Sequence, residues 1–360
     1  REKRCSMNPI IGCDAHRRYS LFAVLDTTTL SVEQTRVNHQ PGAILEFLSG
    51  FPEGTPVALE TVGNSYWIVD EIEQAGCVPQ LAHAAKAKVI MGNINKTDKL
   101  DATGLATLIH LGSLPTVWLP PGEIRDEREL HRTRMALSKV RTSLKNRIHA
   151  SLAKYALNTS EHSDIFVGKG RAWLERTIQK LPPETNRCLE QELDLLDDAM
   201  GHIAALETRI RERIQLTPNM QHLKTLPGVG NILAVVIERE VGTVDRFPTA
   251  GHLAAYAGVV PRVHSSGGKT RYGRMRKQAN NYLKWAFIEA ANVVVAHRHH
   301  ASWRDKKVTQ VYERICRRKG HATAVGAVAR HLAESVFWIL KKGEDYQDPA
   351  LRRQGSPKLV

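Results

Sequence analysis

The chain has 360 residues, 42% of them hydrophobic, enough for two folded domains and a connector. Lys and Arg outnumber Asp and Glu by 51 to 37, a formal charge of +14 that points to a polyanion among its partners. Five scattered cysteines (Cys5, Cys13, Cys77, Cys188, Cys316) without a CxxC pair indicate neither a disulfide framework nor a zinc site. A reducing cytoplasm fits. No run approaches the ~20 apolar residues of a bilayer span, and the charged Arg1–Ser6 leads into no signal-type core, so membrane insertion and secretion are not expected. Without a dinucleotide fingerprint or a Walker loop, a metabolic enzyme is disfavoured.

The first hundred residues alternate strand and helix signals. Ile10–Cys13 and Tyr19–Leu25 read as strands paired around a turn at Ala15–Arg18, and Thr35–Asn38 as a third strand. Pro56–Leu59 is a buried strand, followed by a helix over about Ser65–Ala75, a strand at Val78–Leu81 and a helix over about Lys99–Leu111. This pattern predicts a mixed sheet flanked by helices, an α/β layer architecture. Asp14 and Glu60 end two of the strands, while Asp98 and Asp101, three apart at a helix start, share a helical face. Carboxylates gathered this way repel unless a cation stands between them, and a Mg²⁺ pair suits an oxygen-only donor set for phosphoryl transfer. Each acid taken alone also has an ordinary reading, Asp98 as a helix N-cap and Asp14 as a turn residue.

Pro120-Pro121-Gly122 marks a boundary, beyond which the period becomes helical. Leu137, Val140, Leu144, Ile148, Leu152 and Tyr155 form an apolar stripe on a long basic helix. Leu189, Leu193, Leu196, Met200, Ile203, Ile210 and Ile214 form a heptad pattern interrupted at Glu207. The two predict either an antiparallel coiled-coil arm or a plain helical hairpin. From Leu223 to about Lys342 the chain reads as mostly helical, and Gly343–Val360 as a disordered tail. Leu226-Pro227-Gly228-Val229-Gly230 resembles the turn of a helix-hairpin-helix, in which Gly228 and Gly230 would let N–H groups approach a phosphate. A tight helix connection needs the same glycines. In His264-Ser265-Ser266-Gly267-Gly268 a hydroxyl is set in an exposed, flexible loop among Lys269, Arg271, Arg274, Arg276, Lys277 and Lys284. Either that hydroxyl attacks a phosphate or the loop only grips the DNA backbone. Closely spaced His297, His299 and His300 cannot all face one ion from a helix and read as a polar, DNA-facing or solvated helix end. Val328, Leu332, Phe337, Trp338 and Leu340 read as core positions of a last amphipathic helix.

Three N-terminal blocks, Ile11-Gly12-Cys13-Asp14, Leu59-Glu60-Thr61-Val62-Gly63 and Lys96-Thr97-Asp98-Lys99-Leu100-Asp101-Ala102, resemble those of the DEDD transposases of bacterial insertion sequences, the IS-one-ten, Piv-like type. Leu226–Ala290, with Ala254–Pro261, Ser266-Gly267 and Asn281–Lys284, is similar to the C-terminal domain of the same family. The resemblance implies a RuvC-like, ribonuclease-H-type domain at 8–120 with Asp14, Glu60, Asp98 and Asp101 as Mg²⁺ ligands. It further implies a helical arm at 121–218 and a serine-bearing transposase domain at 219–342. It makes Ser266 the nucleophile of a covalent phosphoserine, Ser265 being the neighbour to distinguish. It also implies a bacterial protein acting on element ends and target DNA as a dimer or tetramer, guided by a non-coding bridge RNA. Two other readings stay open. A RuvC-like nuclease or junction resolvase would use metal-directed water without a covalent intermediate, and a non-catalytic nucleic-acid-binding protein would lose nothing on Asp14→Asn.

Overall fold

The computed structural model describes residues 8–61, 63, 65–92, 98–157, 161–275 and 278–349, the side chains of 98–100 excepted. The chain divides into two compact units, residues 1–120 and 121–360. Among the described residues no helix is long and apolar enough to cross a membrane.

The first unit is built on a five-stranded sheet. β1 (Pro9–Ala15) pairs antiparallel with β2 (Tyr19–Asp26), and β2 with β3 (Val32–Asn38). β4 (Pro56–Glu60) lies parallel to β1, and β5 (Val78–Ala82) parallel to β4, giving the order β3-β2-β1-β4-β5. Among the described residues four helices accompany them: α1 (Ala43–Leu48), α2 (Ser65–Gln74), α3 (Ala84–Met91) and α4 (Asp98–His110). The period-2 alternation of the strands sorts their side chains between two faces. Ile11, Cys13, Phe22, Val24, Val57 and Leu59 are buried against Ile44 and Leu48 of α1 and Ile68, Val69 and Ile72 of α2. The opposite face is made of small residues. Ala58 and Ala82 pack against Leu105 and Leu108 of α4 and Ala87 of α3, and a β-carbon at Gly12 would stand 2.0 Å from the Ala102 carbonyl oxygen. Glycine at position 12 is what lets the α4 backbone rest on β1.

Neither α1 nor α3 is expected from the sequence. α1 has six residues and begins at Gly42, whose φ of 80° offers no capping side chain. Its free N–H groups are satisfied from a distance, since Glu71 on α2 accepts hydrogen bonds from the backbone N–H of Gly42, Ile44 and Leu45 at 2.9–3.1 Å.

The second unit opens with α5 (Gly122–Lys154), α6 (Gly168–Ile178) and α7 (Pro183–Arg213). α5 and α7 run antiparallel, because Arg134 pairs with Glu207 while Arg147, further along α5, pairs with Glu192, further back on α7. Leu144, Ile148 and Leu152 meet Leu189, Leu193 and Leu196, and Leu174 and Ile178 of α6 close the cluster. Glu207, where the heptad pattern breaks, is the partner of Arg134. The stripe expected on α5 holds only in its second half. Val140 and Tyr155 are exposed, and the buried positions of the first half are Arg128, His131 and Met135.

The rest of the unit comprises α8 (Pro218–Lys224), α9 (Asn231–Val241), a 3₁₀ turn at Val244–Arg246 and α10 (Ala250–Tyr256). A two-stranded ribbon of β6 (Pro261–Ser266) and β7 (Lys269–Met275) precedes α11 (Asn281–His297), α12 (Ala301–Arg304), α13 (Lys307–Lys319) and α14 (His321–Lys342). Val236, Leu253, Phe287, Val294, Val328, Leu332 and Phe337 belong to its core. Trp338, read as core, is 54% exposed because it falls on the outer face of α14. The beginning of the expected tail is ordered. Asp348 is buried and accepts from the Lys307 N–H at 3.1 Å, capping a helix whose own N-cap, Lys306, has no acceptor side chain. The Tyr346 N–H donates to Thr225 Oγ1 at 2.7 Å. Residues 350–360 lie outside the described residues.

Candidate functional site

The acidic edge follows from sheet register. Cys13 is level with Leu59 across the parallel β1–β4 pair, so Asp14 and Glu60 come next on strands about 4.8 Å apart. Two residues beyond Gly12 and Ala58, they share the face on which α4 rests. Asp14 is largely buried, its side chain 19% exposed, and its Oδ2 lies 3.0 Å from His16 Nε2. His16 does not stand out in the sequence. Its signal is the i+2 spacing from Asp14 at a strand end. α4 starts at Asp98, and half-buried Asp101 directly precedes Ala102, the residue whose carbonyl covers Gly12. The Asp98 side chain lies outside the described residues. Sheet register thus brings Asp14 and Glu60 together and sets Asp101 on the helix docked to their face. Among the described residues no three His, Cys, Asp or Glu side chains converge into a metal-holding group. The carboxylate pair fits a hard divalent cation by donor type. Cys13 faces the other side, where burial pushes its thiol up to about 12, so it offers no thiolate.

The segment read as a flexible loop is a β-hairpin. Gly267 and Gly268 have φ of 54° and 73°, the two left-handed positions that a tight two-residue hairpin turn requires. Ser266 pairs with Lys269, Ser265 with Thr270 and His264 with Arg271. Alternation therefore sets Ser266, His264, Lys269 and Arg271 on one face, and Ser265 and Thr270 on the other. Gly273 leaves room on the first face, since a β-carbon there would lie 3.9 Å from His264 Cδ2. The register thus separates two adjacent serines that the sequence left as neighbours. Ser266, Lys269, Arg271 and Arg274 are exposed, Lys284 is half-buried on α11, and Arg276 and Lys277 lie outside the described residues.

Gly228 has a φ of 86°, and a β-carbon there would meet the Ala290 carbonyl oxygen at 2.3 Å, so packing against α11 already demands this glycine. Gly230 is the N-cap of α9. The turn lines an open groove of ≈ 800 Å³ that also carries Arg211, Lys224 and Lys306. The histidines at the end of α11 have structural work. His297 stacks on Trp303, and His300 caps α12 through the Ser302 N–H.

A buried acid that the sequence pattern does not reveal holds the hairpin's return. Glu240 on α9 is fully buried and accepts from Arg132 Nε at 2.8 Å and Nη2 at 3.0 Å, and from Asn280 Nδ2 at 2.8 Å, with His131 Nε2 at 2.9 Å and Arg128 Nε at 3.7 Å. Burial by itself would raise its pKa, but the hydrogen bonds from His131 and Arg132, the charge of Arg128 and the Asn280 amide hold it well below the usual carboxylate range. Asn280 in turn caps α11, its Oδ1 accepting from the Tyr282 and Leu283 N–H groups at 3.0 and 3.1 Å. The available signal is an acid at an apolar position of the run Ile232–Val241.

A family model described as a transposase, of the DEDD type of IS110 elements, matches residues 11–157, which include Asp14, Glu60, Asp98 and Asp101. A second, described as the transposase IS116/IS110/IS902 family, matches residues 220–308, which include Ser266. The chain is 26% identical over 302 residues to a protein of Pseudomonas aeruginosa described as a "probable family 20 transposase", covering 81% of this chain and 85% of that one. It is 29% identical over 256 residues to the transposase for insertion sequence element IS1111A of Coxiella burnetii, covering 70% of this chain and 69% of the other. To the transposase for insertion sequence element IS1328 of Yersinia enterocolitica it is 24% identical over 294 residues, 79% of this chain and 83% of the relative. The two family matches fall in the same order as the acidic edge and the serine hairpin, and the chain belongs to the IS110-type DEDD transposases.

Proposed function

We propose that this transposase cuts and rejoins DNA through Ser266, with the acids of a ribonuclease-H-type first unit, Asp14, Glu60, Asp98 and Asp101, as ligands of Mg²⁺. The observation that carries this reading is the hairpin register, which gives Ser266 rather than Ser265 the cationic face of Lys269 and Arg271. The Ser266 Oγ attacks the scissile phosphorus, forming an O–P bond as the bond to one deoxyribose oxygen breaks. The hydroxyl proton is released and the departing oxygen is protonated. Lys269 and Arg271 attract the phosphate and offset the charge that grows on its oxygens. Mg²⁺, when bound, supplies further charge neutralisation at the phosphate. The sheet order and the level placement of Asp14 and Glu60 support the metal-binding part.

The rest of the proposal follows the family. Element ends and target DNA are the substrates, a non-coding bridge RNA pairs with both, and a dimer or tetramer supplies the two groups that act at each phosphate. The charge of +14 suits either nucleic acid. The test is Mg²⁺-dependent cleavage of element-junction DNA with and without the matching non-coding RNA. Loss of cleavage in both Ser266→Ala and Asp14→Asn is expected. Cleavage persisting in Ser266→Ala would favour metal-directed hydrolysis, and activity persisting in Asp14→Asn would remove the metal edge from the account.

A further inference from the structure

At the root of the serine hairpin, β7 and the corner between α13 and α14 enclose a groove of ≈ 630 Å³. Among the described residues five cations line it, Arg274, Arg314, Arg318, Lys319 and Arg330, and no carboxylate does. Arg330 pairs with Glu334 at 2.8 Å, whereas among the described residues none of the other four has an ion-pair partner. Cations in the last turn of a helix are favoured by its dipole, which accounts for Arg318 and Lys319 at the end of α13. It does not account for Arg274 on a strand, Arg314 a turn earlier, or Arg330 within α14, all directed at one cavity. The floor is apolar, with Val259, Pro261, Met275 and Gly326, and such weakly polarisable walls concentrate the field of the cations above them.

We propose that this groove binds the sugar–phosphate backbone of the DNA strand whose scissile phosphate lies at the hairpin tip. The inference rests on the reading of Ser266 given above, because β7 leads directly from the tip to the groove. Lys269, opposite Ser266, is separated from Arg274 by five residue steps along β7, about 17 Å at ~3.3 Å per residue. Measured along the axis of a duplex, that length spans about five phosphates of one strand at ~3.4 Å of rise each. The groove thus grips the strand at a fixed offset from the cut and contributes affinity without base readout.

The test is the salt dependence of binding by the full chain to a short DNA duplex of arbitrary sequence and to a single-stranded RNA of the same length. The variant Arg314→Gln/Arg318→Gln changes two exposed side chains. A control, Lys154→Gln/Arg187→Gln, removes the same charge from exposed positions on α5 and α7. Each phosphate that is no longer neutralised lowers the slope of log K against log salt by about 0.9 on duplex DNA, so the groove variant should lose nearly 2 and the control nothing. An unchanged DNA slope, an equal loss in the control, or a loss on RNA alone overturns the proposal. The readout is binding, so a chain that forms no Ser266 adduct but keeps the slope difference refutes the nucleophile and leaves the groove standing.

Discussion

Replacing Glu240 by Gln keeps the shape of the side chain and removes its charge. Two bonds from Arg132 lose their ionic character, and because Arg132 donates to both carboxylate oxygens, the new amide nitrogen faces one of its N–H groups in either orientation, where only an acceptor can be used. Breaking a buried charged pair costs ~3–5 kcal/mol. The lower end applies here, because Arg128 keeps the Arg239 carbonyl at 2.7 Å and the Glu240 carbonyl at 3.2 Å. A loss of about 3 kcal/mol in a unit of this size lowers Tm by roughly 6–12 °C. The pH dependence has a definite sign. A carboxylate whose pKa is depressed by folding contributes its full stability above its ordinary value near 4.5, and that contribution is lost as the pH falls toward the depressed value. Scanning calorimetry from pH 7 down to pH 3 should show wild type losing its advantage over Glu240→Gln below about pH 4.5. A variant that melts within about 1 °C of wild type at neutral pH, or parallel acid limbs, would contradict a stabilising buried charge at Glu240.

Gly12→Ala pushes a β-carbon to 2.0 Å from the Ala102 carbonyl, and overpacking of this kind costs ~1–3 kcal/mol. Lower thermal stability with reduced Mg²⁺-dependent cleavage is expected, and an unaltered Tm would contradict the close approach of α4 to β1. Gly268→Val places a β-branched residue at a φ of 73° on the exposed hairpin, so cleavage should fall while global Tm stays within ~1 °C. The reverse pattern would argue that the turn is structural only. Asp348→Ala removes the acceptor for the Lys307 N–H and should cost about 1 kcal/mol in thermal or urea unfolding, while a truly disordered segment would show no change.

The parts of the fold most legible in the sequence are those set by local pattern. Tyr19–Leu25 and Pro56–Leu59 show strand signals within themselves, and Asp14 and Glu60 stand at strand ends that a reader can mark. α1 escapes because its cap, Glu71, is nearly thirty residues away, and α3 has no side-chain cap at all. The stripe on α5 misleads for a related reason. Arg128 and His131 look like solvent positions until Glu240, more than a hundred residues on, is placed beside them. The hairpin carries a usable signal, two glycines between short runs that hold the strand-favouring Val263, Thr270 and Tyr272, but its many cations suggest a flexible loop. Which serine takes the cationic face depends on register, and register is fixed only once Gly267 and Gly268 are known to occupy the turn.

The most direct test of the central claim is to trap the reaction on element-junction DNA, digest the protein and locate the phosphorylated residue by mass spectrometry. A phosphodeoxynucleotide on Ser266 is expected, abolished in Ser266→Ala and retained in Ser265→Ala. An adduct on Ser265, or efficient cleavage with no adduct on either serine, would contradict it.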